Sequence, residues 1–214
     1  MAERLGPIKV VPVREKVISK LRVAIFNGEF KEGEELPLDY IANVLGVSIT
    51  PVREALQILE RDGLIEFKKN KRAVVLGITD KYIIDHYGLR IILESEACRL
   101  ACEIADSFEE LIKIHNIAKS ELEKEIYVNY DKYNYRFHYE IWKFTGNEKI
   151  INLLQELWNS LSIKFAIDVK EYAKRSITEH EEILDALIKR NSKKAKKLME
   201  EHLERSKNEV LENY

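Results

Sequence analysis

Long apolar runs are missing from this 214-residue chain. No segment approaches the ~18 consecutive apolar residues that a membrane span needs, and Met1 to Lys9 lacks the apolar stretch of a signal peptide, so a soluble cytoplasmic protein is expected. Cysteine is scarce: Cys98 and Cys102 are the only two. They sit four apart in an apolar helical pattern, on one side of one helix, and read as small buried hydrophobes rather than as a redox or metal pair. Glycine (8) and proline (4) are also few. With Lys, Glu and Ile abundant, that points to a helix-rich fold. Neither an internal repeat nor a low-complexity stretch occurs. What is present is core material: 45% of residues are hydrophobic and 34% charged, too apolar for a disordered chain and long enough for one large domain or two small ones.

The formal net charge of −2 does not mark a nucleic-acid binder, but it conceals a division near Ile78. Residues 1–78 carry 13 Lys and Arg against 11 Asp and Glu, whereas residues 79–214 carry 22 against 26. A mildly basic front end therefore precedes an acidic body. In the front part, Val17, Leu21, Ala24 and Ile25 recur at helical spacing within 13–27, and Gly28 stops the pattern. A loop through Glu32 to Glu34 leads to a short helix over 38–45, ended by Gly46. After the turn Val47-Ser48-Ile49 a second helix begins, with Thr50 as its N-cap and Pro51 in its first turn, and runs to Asp62. Two strand-like pieces, 64–68 and 73–76, flank the basic tip Lys69-Asn70-Lys71-Arg72. Helix, turn, helix and basic hairpin make a winged helix-turn-helix over 1–78.

Beyond Thr79 only helical signals repeat, over 80–104, 108–124, 126–145, 148–171, 177–190 and 193–213. Ser107 with Glu110 and Ser176 with Glu179 have capping-box spacing, and Gly146 stands as a C-terminal cap. Loops this short favour an antiparallel all-helical bundle over 79–214, so the fold class expected is mainly α.

Ser48, Thr50 and Arg53 cluster where the second helix begins, the end that enters a major groove and whose free N–H groups favour phosphate. Serine and threonine bond phosphate or base edges, and Arg53 reaches a guanine O6/N7 pair. Lys71 and Arg72 add charge at the wing. Taken singly, Arg53 reads as a surface arginine and Thr50 as a cap. Gly46-Val47-Ser48-Ile49-Thr50-Pro51-Val52-Arg53-Glu54-Ala55-Leu56, followed by Leu59-Glu60-Arg61-Asp62-Gly63-Leu64, closely resembles the signature of the GntR family of bacterial regulators. The resemblance implies that Thr50 and Arg53 touch DNA, with Ser48 at the turn. Ile49 stands where that family usually has a base-contacting arginine, and Arg72 where its wing usually has glycine. The first leaves only apolar contact with a thymine methyl; the second can enter a minor groove.

His138, His180 and His202 fall on three different helices of the predicted bundle, an arrangement that can make a divalent transition-metal site, and Asn134 shares a helix face with His138. By spacing alone they also read as polar surface histidines. Arg90 to Glu94, Phe137-His138, Glu179 to Ile183 and Met199 to Leu203 together resemble the FCD effector domain of the FadR-type branch, whose metal-binding members carry Asp-x-x-x-His and two later histidines. That resemblance maps the ligands to Asn134, His138, His180 and His202, with a neutral amide in the place of the carboxylate. Zinc suits three imidazoles; nickel should bind more tightly and manganese more weakly.

Arg90 in such domains can face the cavity beside the metal and clamp a small carboxylate effector; alternatively it pairs with Glu94 on its own helix face. His86 and His115 read as ordinary helix-surface residues, and Trp142, Phe144, Trp158 and Phe165 as core or cavity lining. The expected partners are a double-stranded DNA operator, the effector and a second copy of the chain, since helix-turn-helix proteins read two half-sites ~34 Å apart. A metal-dependent enzyme with an appended DNA-binding domain is the competing expectation. It lacks a clear general base: Glu179 and Glu181 adjoin His180 but should point elsewhere on the helix.

Overall fold

The structure, a computed structural model, describes residues 12–69, 72–161 and 168–213. Its contacts separate into two compact units that divide between Tyr82 and Ile83.

The first unit is built on α1 (Val13–Phe26), β1 (Glu35–Leu36), α2 (Leu38–Leu45), α3 (Ile49–Arg61), β2 (Ile65–Phe67) and β3 (Ala73–Val75). Val17, Leu21 and Ile25 form the buried stripe of α1, and Val52, Ala55, Leu56 and Leu59 that of α3. The two stripes meet in one core closed by Leu36, Ile41, Leu64, Ile65 and Val75. Gly46, at φ +65°, takes the left-handed conformation that turns α2 into α3. Ser48, in extended backbone, is the N-cap of α3, and its side chain makes no capping bond. Thr50 is therefore the second residue of the helix, not its cap. The earlier start agrees with Pro51 in the first turn, where a missing N–H costs nothing. At the other end Gly63 (φ +75°) lets the Leu64 N–H return to the Leu59 carbonyl at 3.0 Å. The half-buried ion pair Arg22–Asp62 ties α1 to that end.

The sheet has order β1-β3-β2, both pairings antiparallel, with Leu36 opposite Ala73 and Glu66 opposite Val74. The hairpin is thus three-stranded. The extra strand, β1, has only two residues, too few to show an alternation in the sequence.

The second unit runs through α4 (Asp80–Ile104), α5 (Glu109–Glu123), α6 (Tyr130–Lys143), α7 (Glu148–Ser160), α8 (Val169–Ile188) and α9 (Ser192–Asn213). It is the antiparallel helical bundle expected, with α8 packed on α5 and α9, and α6 on α5 and α7. Cys98 and Cys102 are buried free thiols on α4. Three boundaries differ from expectation. The helix expected over 126–145 spans Tyr130–Lys143, its start preceded by a turn in which the Tyr130 N–H bonds the Tyr127 carbonyl at 3.0 Å. The helix expected over 148–171 ends at Ser160, and Asp168 starts a new one, its carboxylate accepting from Lys170 N–H at 2.9 Å. Ser176 is consequently a buried residue inside α8 rather than a cap, and accepts a bond from Arg205. Phe165 lies outside the described residues.

Leu56 is fully buried between α3 and its neighbours. Leu56→Ala is expected to destabilise the first unit by about 2–5 kcal/mol, read as a lowered midpoint in denaturant unfolding followed by circular dichroism.

Candidate DNA interface and metal centre

The burial of Val52, Ala55, Leu56 and Leu59 leaves the opposite side of α3 to solvent: Ile49, Thr50, Arg53, Glu54 and Gln57 are all exposed. Among the described residues, nothing holds the side chains of Ser48, Thr50, Arg53 or Gln57 by a hydrogen bond or ion pair. Polar groups kept extended and unpaired at a helix N-terminus are poised for an external partner. On the wing, Arg72 bonds the Glu35 carboxylate at 2.9 Å in an exposed pair, which competes weakly with an incoming phosphate. Lys71 lies outside the described residues.

In the second unit α6, α8 and α9 bring His138, His180 and His202 together, with a ligand nitrogen of each within 4.8 Å of the others. All three are buried, and their ring centroids stand 4.8–5.2 Å apart. One turn before His138, Asn134 Oδ1 is buried without a hydrogen-bond partner, and so are His138 Nε2 and His180 Nε2. An unsatisfied buried polar atom costs about 1–3 kcal/mol, and two of these belong to the histidine cluster. Three imidazoles suit a divalent transition metal, to which a carbonyl oxygen such as that of Asn134 would add a weaker donor.

Each outer histidine is held from behind. His138 Nδ1 lies 2.6 Å from Glu94 Oε2, which also accepts from Trp142 Nε1 at 2.9 Å, while Arg90 Nε donates to Glu94 Oε1 at 2.7 Å. His202 Nδ1 lies 2.6 Å from Glu179 Oε2, and Arg205 grips the same carboxylate at 2.6 and 2.7 Å, with further bonds to Ser176 and Glu209. An ionised carboxylate only accepts, so Nδ1 carries the proton in both rings and Nε2 presents a lone pair. Burial would raise both carboxyls. For Glu94 the charge of Arg90 and the hydrogen bonds from His138 and Trp142 prevail, and for Glu179 the hydrogen bonds from His202 and Arg205, so each titrates below the ordinary carboxylate range. His180 has a different support: Phe137 stacks on it at 4.1 Å and 10°. Burial pushes His180 well below the usual histidine range and His202 down to about 4, even against the Glu179 bond. Both are therefore neutral, the form a metal requires.

Arg90 makes the ion pair with Glu94 that the helix spacing allowed. Its guanidinium carbon also lies 4.7 Å from the Trp158 ring centroid and 5.4 Å from that of Tyr87, and among the described residues nothing accepts from its two Nη groups. Two expectations need correction. His86 and His115 are buried, at 5% and 4% exposure, because His86 lies beside Ile83, Tyr87 and Arg90 on the buried face of α4 and α5 packs on both α6 and α8. Glu179 points away from His180, as expected, and toward His202. Sequence reasoning did not single out Glu94, Glu179 or Arg205 for the site. Glu94 and His138 are 44 residues apart and share no motif spacing.

A winged helix-turn-helix joined to a helical domain with a buried histidine cluster is the architecture of a DNA-binding regulator. Residues 13–75 match the model of the bacterial regulatory proteins of the gntR family, and residues 85–205 match the FCD domain. The chain belongs to the GntR family of bacterial transcriptional regulators, in the branch that carries an FCD domain. It is 30% identical over 195 residues, 88% of this chain and 86% of the other, to the HTH-type transcriptional regulator YdhC of Bacillus subtilis. It is also 30% identical over 148 residues, 68% of this chain and 59% of the other, to the gluconate operon transcriptional repressor of that species. A GntR regulator structure from Rhodococcus sp. RHA1 superposes with TM-score 0.64 at 26% identity, covering 94% of this chain and 98% of that one. Relatives and domains alike are those of transcriptional regulators rather than enzymes. Among the described residues, no helix is long and apolar enough to cross a membrane.

Because burial depresses the His180 and His202 values in the folded chain, the unfolded chain takes up protons that the folded chain refuses as pH falls from about 6.5 toward 4. The metal-free protein should lose stability through that window. His202→Gln should flatten the loss by at most ~1.4 kcal/mol per pH unit, measured by denaturant unfolding in metal-free buffer.

Proposed function

We propose that this regulator reads an operator with the first two turns of α3 and the wing, and that its FCD domain holds one divalent metal at which a small carboxylate effector binds. The observation that carries the sensing half is the convergence of buried His138, His180 and His202, with His138 Nε2 and His180 Nε2 unpartnered, while Asn134 Oδ1, also buried and unpartnered, stands one turn before His138 on the same helix. His138, His180 and His202 are the ligands, with Asn134 as a weaker oxygen donor. Zinc fits three imidazoles, and nickel is expected to bind more tightly than zinc. Bound there, the ion supplies positive charge and an open coordination position.

The carboxylate class follows from charge. Four neutral donors leave a 2+ ion uncompensated in a buried site, and an anion entering beside it cancels part of that charge. The two Nη groups of Arg90 can grip the other end of such an anion in a fork. One relative is a gluconate operon repressor, and gluconate is a carboxylate. In the DNA-binding domain, proposed to span 1–78, Ser48 and Thr50 contact phosphate or base edges, Arg53 a guanine, and Lys71 and Arg72 the flanking backbone. The bundle over 79–214 is the effector domain. Two copies of the chain present two readers to two half-sites.

Native mass spectrometry of the purified protein, followed by calorimetric titration of gluconate and other small carboxylates, tests the sensing half. His180→Ala should lose the metal. Glu94→Gln should weaken metal binding ~10- to 100-fold by freeing the His138 ring. Arg90→Ala should keep the metal but weaken the best carboxylate; unchanged affinity would remove Arg90 from the effector site. For the DNA half, Arg53→Ala should leave the fold intact and cost ~1–3 kcal/mol in binding to the preferred duplex, read by fluorescence anisotropy.

A further inference from the structure

We infer that Ile49 reads the 5-methyl group of a thymine in the major groove, in line with Arg53 and Gln57. The inference rests on the proposal that α3 is the DNA reader and adds to it a discriminating contact that involves no hydrogen bond.

The argument begins with which side of α3 is free. Val52, Ala55, Leu56 and Leu59 fill the core of the first unit, each at 0% exposure. Ile49, Arg53 and Gln57 follow one another at intervals of four residues, so they form a stripe along one face, each ~6 Å further along the helix axis than the last. All three are exposed, and Ile49 keeps 40% of its surface in water at the first helical position. A single exposed isoleucine is ordinary on a protein surface. This one is set apart by its alignment with two side chains that speak to base edges: a guanidinium fits guanine O6 and N7, and a carboxamide fits adenine N6 and N7. Ser48 makes no side-chain cap, so no polar bridge screens the start of the stripe.

Chemistry then selects the partner of Ile49. It carries neither donor nor acceptor, so pressing it against a guanine, cytosine or adenine edge would leave a polar group without water or partner. In the major groove the thymine C5-methyl is an apolar feature that an aliphatic side chain can cover without that cost. The β-branched side chain also has few rotamers in a helix, which makes the contact pre-positioned rather than adaptive.

The test starts by selecting the preferred duplex from a randomised DNA library with the full-length protein. Each thymine of that duplex is then replaced in turn by deoxyuridine, which removes the methyl group and nothing else. Wild type should bind about four-fold more weakly when one particular thymine of a half-site is replaced, the effect of one buried methyl. Ile49→Ala should bind the thymine and uracil duplexes equally, and Ile49→Val should keep part of the difference. Because Ile49 is exposed, these variants should melt like wild type. The inference is overturned if no thymine replacement matters to wild type, or if Ile49→Ala preserves the thymine-to-uracil ratio. Arg53→Ala on the same duplex separates the two levels. Lost affinity with an unaltered methyl effect in Ile49→Ala sinks the Ile49 contact alone. Unchanged affinity in Arg53→Ala, or a selection that yields no preferred sequence, sinks the α3 reader as well.

Discussion

The Glu94 carboxylate is wholly buried in the middle of α4, and the helical unit is arranged around the need to satisfy it. A buried ionised carboxylate is tolerated only when charge and hydrogen bonds answer it. Here one oxygen takes the Arg90 Nε–H, and the other takes His138 Nδ1–H and Trp142 Nε1–H. Answering it fixes three other things at once. His138 is held in the tautomer that leaves a bare Nε2, Arg90 is pinned near the Tyr87 and Trp158 rings with its outer donors free of acceptors among the described residues, and α4 is tied to α6. The Glu179–Arg205 pair does the same for His202, binding α8 to α9. The placement of His138 thus follows from a buried carboxylate that would otherwise be untenable, and that of His202 from a part-buried one held by Arg205.

The first unit solves the opposite problem. The helix proposed as its reader must expose polar side chains without letting them fold back onto the protein, and it does so by giving the other face of α3 entirely to the core. With Val52, Ala55, Leu56 and Leu59 buried against α1 and the sheet, the helix cannot rotate without exposing a continuous apolar stripe. Among the described residues, Thr50, Arg53 and Gln57 are left with no intramolecular partner to satisfy, in contrast to Arg22 and Arg72, which pair with Asp62 and Glu35. Burial and availability are two sides of the same helix period.

That period also explains how far the sequence could be read. The short helix over 38–45 and the long one over 80–104 were legible to the residue, because glycine closes the one and a charged run opens the other. The histidine triad was legible through family resemblance, and the structure brings its three members together. Periodicity could not show that His86 and His115 are buried, since helices inside a bundle pack on several sides and a polar residue there leaves no apolar gap in the pattern. Nor could spacing join Glu94 to His138 or Glu179 to His202, contacts made across helices and across tens of residues. The Ser176 cap failed for a related reason: Asp168 is an equally good start signal, and the earlier one nucleated the helix.

The two carboxylate relays bear on the identity of the proposed effector in a way the proposed ligand set alone does not. Each is an Arg–Glu pair, so each is close to neutral as a unit, and neither supplies net negative charge to an ion at the three histidines. A carboxylate at position 134 would have supplied it directly; Asn134 does not. The charge deficit in the proposed site is therefore a property of this chain, and it favours an anionic ligand over a neutral one in whichever arrangement of helices brings Arg90 and the open position within reach of the same molecule. Tight binding by itself would change nothing downstream, because a ligand shifts an equilibrium only by the difference in its affinity for two states. Arg90 is where such a difference can arise: it holds Glu94 with one nitrogen and has two groups to spare, so an anion that draws it sideways also loads the bond that positions His138.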